Sequence, residues 1–162
     1  MGKIYKDTPL MELTLRRYEK PSGLEERELI RKFCLSIGLL QPGDSRDIIV
    51  DIVHVLLLAR KKQEALASEE IRDRIITMKD GKGDGKKEGR ESKKLNGVAA
   101  SNIRRQVKRL RDLQLVEKVK TKYRIAEFLP VQEIYKERIS QFLLPPIVSR
   151  VEEYFKAIDE KF

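Results

Sequence analysis

Apolar residues recur along this chain at helical spacing, lose that spacing once, and regain it, and the interruptions mark out the elements. Leu29, Ile30, Phe33, Cys34 and Ile37 form one stripe at three- and four-residue intervals, which predicts an amphipathic helix from about Gly23 to Ile37. Ser22 and Glu25 have the spacing of a capping box at its start. Gln41-Pro42-Gly43 breaks the chain, and Asp44 or Ser45 can cap a second helix, Arg46 to Gln63. That segment is apolar on most of its circumference, through Ile48, Ile49, Ile52, Val53, Val55, Leu56, Leu57 and Ala59, so it belongs at the centre of the core. Ser68 heads a third helix with inward-facing Ile71, Ile75 and Ile76, and Glu69 and Glu70 suit the positive end of its dipole. From Asp80 to Gly97 only Leu95 is a large apolar residue, and the stretch reads as a mobile loop.

Helical spacing returns in Ala100 to Leu115, with Ile103, Val107 and Leu110 on one face. Then Val116, Val119, Tyr123 and Ile125 alternate around Lys120-Thr121-Lys122, which predicts a two-stranded ribbon with a basic tip. Val131 to Phe142 and Ile147 to Ile158 read as two further helices, separated at Leu143-Leu144-Pro145-Pro146. The second carries a narrow seam of Ile147, Val151, Tyr154, Phe155 and Ile158, which serves either core packing within one chain or pairing with a second copy, the latter being favoured. Residues 1–20 have no clear period, and Met11 to Tyr18 fits a short strand or an arm. The expected class is mainly α with a small β-ribbon, organised as an N-terminal arm and helix (1–45), a central unit (46–126) and C-terminal helices (127–162).

Charge changes this picture by its location. The chain has a net charge of +9, and the stretch from Asp80 to Arg124 alone holds 15 basic and six acidic residues, so the remainder is balanced. A polyanion suits such a stretch, because each phosphate neutralised by Lys or Arg releases condensed counterions. A merely solvated basic face is the alternative on charge alone. The cations fall into three groups. Lys86, Lys87, Arg90, Lys93 and Lys94 lie in the loop, where they form an accessory basic segment. Arg104, Arg105, Lys108, Arg109 and Arg111 lie opposite the apolar face of the following helix, and Lys118, Lys120, Lys122 and Arg124 belong to the ribbon, with Thr121 at its tip. A helix bearing arginines followed at once by a basic ribbon is the order that sets the helix in a major groove and the ribbon on the flanking backbone.

Other chemistry is thinly represented. Cys34 is the single cysteine, so neither a disulfide framework nor a cysteine-rich zinc site can be drawn, and a reducing, cytoplasmic setting is expected. Met1 to Lys6 do not resemble a signal peptide, and the apolar run Ile48 to Ala59 is interrupted by Asp51 and His54, well short of the ~20 residues of a membrane span. The only histidine, His54, reads as structural, with Asp51 three residues earlier as a hydrogen-bond partner. The glycines of GKGDGKKEG lack the spacing of a phosphate-cradling loop. With no nucleophile–base pair, no metal-ligand cluster and no paired carboxylate in an apolar setting, neither an enzyme nor a cofactor or metal is expected. High Lys and Glu usage, few aromatics and no tryptophan resemble the composition of proteins from hot environments.

The run Leu110, Arg111, Asp112, Leu113, Gln114, Leu115, Val116, Glu117 resembles the junction of recognition helix and first wing strand in the winged helix-turn-helix superfamily, including its MarR-like and ArsR-like regulators, with Gln114 in the usual glycine position. The resemblance covers about residues 46–126. It implies that Ser101, Asn102, Arg104 and Arg105 stand where such families place helix-starting and base-contacting side chains. It further implies a double-stranded DNA-binding regulator of transcription acting as a homodimer, with no membrane association. The alternative is a winged helix used for protein contacts inside a nucleic-acid-processing assembly. The loop at 80–97 is longer than the ~3–4-residue turn usual in a helix-turn-helix.

Overall fold

The computed structural model describes residues 6–81 and 98–162. The chain is mainly helical with one small antiparallel sheet, as expected. Helices α1 (Glu26–Ser36), α2 (Ile48–Lys61), α3 (Ser68–Asp80) and α4 (Ala100–Asp112) precede the strands β1 (Val116–Val119) and β2 (Lys122–Ile125). A short 3-10 turn, Ala126–Phe128, leads into α5 (Val131–Ile134), a π-helical stretch Tyr135–Leu143, and α6 (Leu144–Lys161). The basic loop expected at 80–97, with Lys86, Lys87, Arg90, Lys93 and Lys94, falls outside the described residues beyond Gly81.

α2 is the core helix that its composition requires: Ile49, Val50, Ile52, Val53, Val55, Leu56 and Ala59 are all buried. α1, α3, α4 and the hairpin surround it, contributing Cys34, Ile71, Ile75, Ile103, Val107, Leu110, Tyr123 and Ile125 to one continuous apolar cluster. Burial pushes the Cys34 thiol up to about 12, so it stays protonated and unreactive. The hairpin pairs Val116 with Ile125 and Val119 with Lys122, leaving Lys120 and Thr121 as the turn. On its other edge β2 is tied to the α2–α3 connection, where Leu66 and Tyr123 exchange both backbone hydrogen bonds at 2.8 and 2.7 Å.

The ends of α1, α2 and α4 are built alike. After each helix the second residue past the last helical one has positive φ (Gly38 at 77°, Gln63 at 54°, Gln114 at 67°). At α4 the Leu115 N–H bonds the Leu110 carbonyl and the Gln114 N–H that of Arg111, the paired bonds of a Schellman motif. Gln114 therefore occupies a left-handed position that glycine adopts without the cost an L side chain incurs. Gln114→Gly should raise the unfolding free energy by ~0.5–1 kcal/mol in a denaturant titration; a loss of stability would show that the glutamine side chain holds the junction in some other way.

Two expectations are corrected and an open one is decided. Ser22 and Glu25 form no capping box; Gly23 turns the chain with φ 76°, α1 starts at Glu26, and Glu25 has no side-chain cap bond. The N-terminal segment is an arm without regular strand, seated across the end of α1. Arg16 donates to the carbonyl of Leu35 in the last turn of α1 (2.8 Å) and to that of Leu40 beyond it (3.1 Å), and its backbone N–H bonds the Ser36 carbonyl at 2.8 Å. Finally, Pro145 and Pro146 do not separate two helices. They fall in the first turn of α6, directly after the π-helical stretch, and the backbone at Ile134, Leu143 and Leu144 stays helical. Proline is tolerated in a first turn, and wider π winding before it removes the regular i→i−4 pattern that the rings would obstruct.

Candidate nucleic-acid interface

α4 is amphipathic in the sense its sequence requires. Ile103, Val107 and Leu110 are buried, while Ser101, Arg104, Arg105, Lys108 and Arg111 are exposed and Asn102 and Arg109 are half-buried. The cations do not all stand free. Arg105 donates to Asn102 Oδ1 at 2.7 Å, one turn back on the same helix, which fixes the guanidinium beside the α4 N-terminus. Lys108 makes an exposed i,i+4 pair with Asp112 at 3.2 Å, of the kind worth only a few tenths of a kcal/mol. Arg111 has no ion-pair partner among the described residues.

Two arginines of this helix are engaged with the fold. Arg109 donates to Gln106 Oε1 (2.9 Å) and to the Gly38 carbonyl at the end of α1 (3.2 Å). Arg104 reaches back to α3, 3.4 Å from Ser68 Oγ and 3.8 Å from Glu69. The first turn of α3 also holds the hairpin, because Lys122 lies 3.5 Å from Glu70. The Ala67 backbone N–H, helped by Lys122 and Arg74, holds the Glu70 carboxyl below the ordinary carboxylate range against the opposing effect of burial.

On the hairpin, Lys118, Lys120 and Thr121 are exposed, with Lys118 Nζ 5.9 Å from the Tyr123 ring centre. Arg124 faces the protein: it donates to Glu117 at 2.6 Å and lies 4.9 Å from the Phe128 ring. Burial works to raise the Glu117 pKa, but the Glu127 N–H (2.9 Å) and Arg124 outweigh it and lower the carboxyl. A depressed folded pKa stabilises above the unfolded value and is lost as pH falls through the folded one. In Glu117→Gln, stability should therefore decline less steeply than in the parent as pH drops below about 4.5; parallel acid limbs in thermal melts would remove Glu117 from the pH dependence.

Helix and hairpin meet at a shallow cleft of about 420 Å³ lined by Lys108, Arg111, Asp112, Glu117 and Lys118. A larger cleft of about 820 Å³ runs along the other flank of α4, where Asn102, Arg105 and Arg109 face Arg46 and Lys79 across from Asp44 and Asp47. Arg46 and Lys79 escape sequence reasoning because they lie on other elements, outside the charge run's helix and ribbon. Lys79 is shared with the interior, 3.5 Å from the buried Asp51. His54 does not pair with Asp51 as expected; its Nε2 lies 3.6 Å from Glu26, and Asp51 turns to Arg27 and Lys79. Among the described residues no cluster of His, Cys, Asp and Glu could hold a metal, and no helix is long and apolar enough to cross a membrane.

No family model, no curated protein and no solved structure matches the chain. Function is therefore read from the residues.

Proposed function

We propose that this chain is a sequence-reading, double-stranded DNA-binding protein of the winged helix-turn-helix type, working as a homodimer in transcription control. The order α2, the Leu66 bridge, α3, α4 and hairpin supports the fold assignment, with α4 as the recognition helix and the hairpin as the wing. The observation that carries the function is the convergence of Lys108 and Arg111 from the helix with Lys118 from the hairpin on one open cleft. Arg111 and Lys118 have no ion-pair partner among the described residues, Lys108 has only its exposed pair with Asp112, and Glu117 is taken up by Arg124, so the cleft suits a phosphate backbone passing between helix and wing. Arg105, positioned by Asn102 at the start of the helix, is the side chain best suited to a base edge, because bidentate guanidinium contacts need a fixed fork. Arg109 and Arg124 serve the scaffold in this reading.

The test is binding of the full chain to a random duplex and to one selected from a randomised pool, by fluorescence anisotropy across a salt series. Affinity should fall steeply with salt, and the selected duplex should bind more tightly. Lys118→Ala with Lys120→Ala should weaken both duplexes and flatten the log–log salt slope by about two. Salt-independent binding, or none to either duplex, would sink the proposal and leave a module for protein contacts.

A further inference from the structure

α6 is an 18-residue helix without a single buried residue. Val148, Val151, Phe155 and Ile158, with Phe162 directly past its end, are nonetheless placed in alternation of three and four. All five are exposed, Phe155 to 72% and Phe162 to 94%, and Tyr154 beside them to 68%. A single helix of this length is marginal in water unless its apolar face is covered. The segment 82–97 of the same chain has only Leu95 as a large apolar residue and is no match for such a face.

We infer that the α6 seam is covered by the α6 of a second copy of this chain, the two helices lying parallel as a short coiled coil. The 3-4 alternation sets Val148, Phe155 and Phe162 at one core position of a heptad and Val151 and Ile158 at the other, a spacing that only a helix of the same period meshes with over its whole length. Identical seams are self-complementary about a two-fold axis. With aromatic side chains at ~150–250 Å² each, the seam offers on the order of 700 Å² of apolar surface per chain, close to the ~800 Å² each partner brings to a stable interface. Charge selects the direction. Glu152 and Asp159 flank the core on one side, and Ile147, Tyr154 and Lys161 on the other. An antiparallel pair brings the acidic flank of each helix against that of the other, whereas a parallel pair sets Tyr154 beside Asp159 of the partner subunit, phenol against carboxylate. The inference deepens the proposed function and rests on it for the dimer's use in DNA binding.

The decisive experiment needs no DNA, so failure of the DNA proposal leaves it intact. The full chain should sediment as a dimer at micromolar concentration. Phe155→Glu with Ile158→Glu should weaken association by ~30-fold or more while circular dichroism of the body is kept, since neither side chain is buried in the chain. Ile158→Cys should cross-link to a covalent dimer on mild oxidation, because a parallel pair sets the two positions face to face within disulfide reach. Glu153→Cys, on the outer face, is the control that should not. A monomeric parent chain, or a dimer that survives the double glutamate change, overturns the pairing. A dimer in which Ile158→Cys cross-links no better than the control overturns the parallel direction.

Discussion

Arg105→Ala combined with Arg111→Ala is expected to weaken binding to a selected duplex by ~2–5 kcal/mol, since a lost bidentate base contact costs ~1–3 kcal/mol and a lost phosphate contact adds to it. Both side chains are exposed on α4, so the thermal melt of the variant should match that of the parent within error. The two losses should also differ in kind. Arg105, held by Asn102, should account for the drop in preference between selected and random duplexes, whereas Arg111, in the cleft between helix and hairpin, should weaken both alike. Equal loss of both duplexes in the single Arg105→Ala variant would confine Arg105 to phosphate. The comparison is clean because the arginines that brace the fold, Arg104 and Arg109, are left in place.

The second large effect is expected in the interior. Asp51 on α2 is 1% exposed and is held by Arg27 of α1 and by Lys79 of α3, so one carboxylate ties three helices. Its Oδ2 has no hydrogen-bond partner among the described residues and relies on Lys79 at 3.5 Å. Arg27→Met should lower the unfolding free energy by about 3 kcal/mol, the low end for stripping one partner from a buried charge, because Arg27 is 40% exposed and Lys79 remains. Adding Asp51→Leu to that variant should recover most of the loss, since an apolar side chain there no longer carries a buried charge. A double variant as unstable as the single one would mean that Asp51 supports the helices through shape rather than through its charge.

What could be read ahead of the structure was local. α4 and the hairpin follow from spacing alone, because Ile103, Val107 and Leu110 define a helix face and Val116 to Ile125 a two-residue period. The left-handed conformation at Gln114 was anticipated through the resemblance alone, which sets Gln114 where winged helices usually have glycine. The partners of the charged residues were not. Arg109 bonds a carbonyl 71 residues away, and Arg16 bonds carbonyls 19 and 24 residues away; no spacing rule reaches so far. Charge counting consequently grouped on the ligand face three side chains, Arg104, Arg109 and Arg124, that the folded chain bonds internally. The C-terminal helices were misjudged for a different reason: a Pro-Pro pair breaks an α-helix in its interior, and nothing in the residues announces that π winding precedes it.

That π-helical stretch leaves a trace in which residues are buried. Ile134 and Ile139, five apart, both face the core, a separation that puts two side chains on one side of a π-helix and on well-separated sides of an α-helix. In terms of insertions and deletions, the stretch behaves as an α-helix that has absorbed extra chain length without losing its grip on the body. Removing one residue between Ile139 and Leu144 would leave every side chain of α6 in its own sequence context, yet change the winding that sets the rotation of the whole helix about its axis. The direction in which the exposed apolar face looks is therefore encoded outside that face, in the number of residues that precede it.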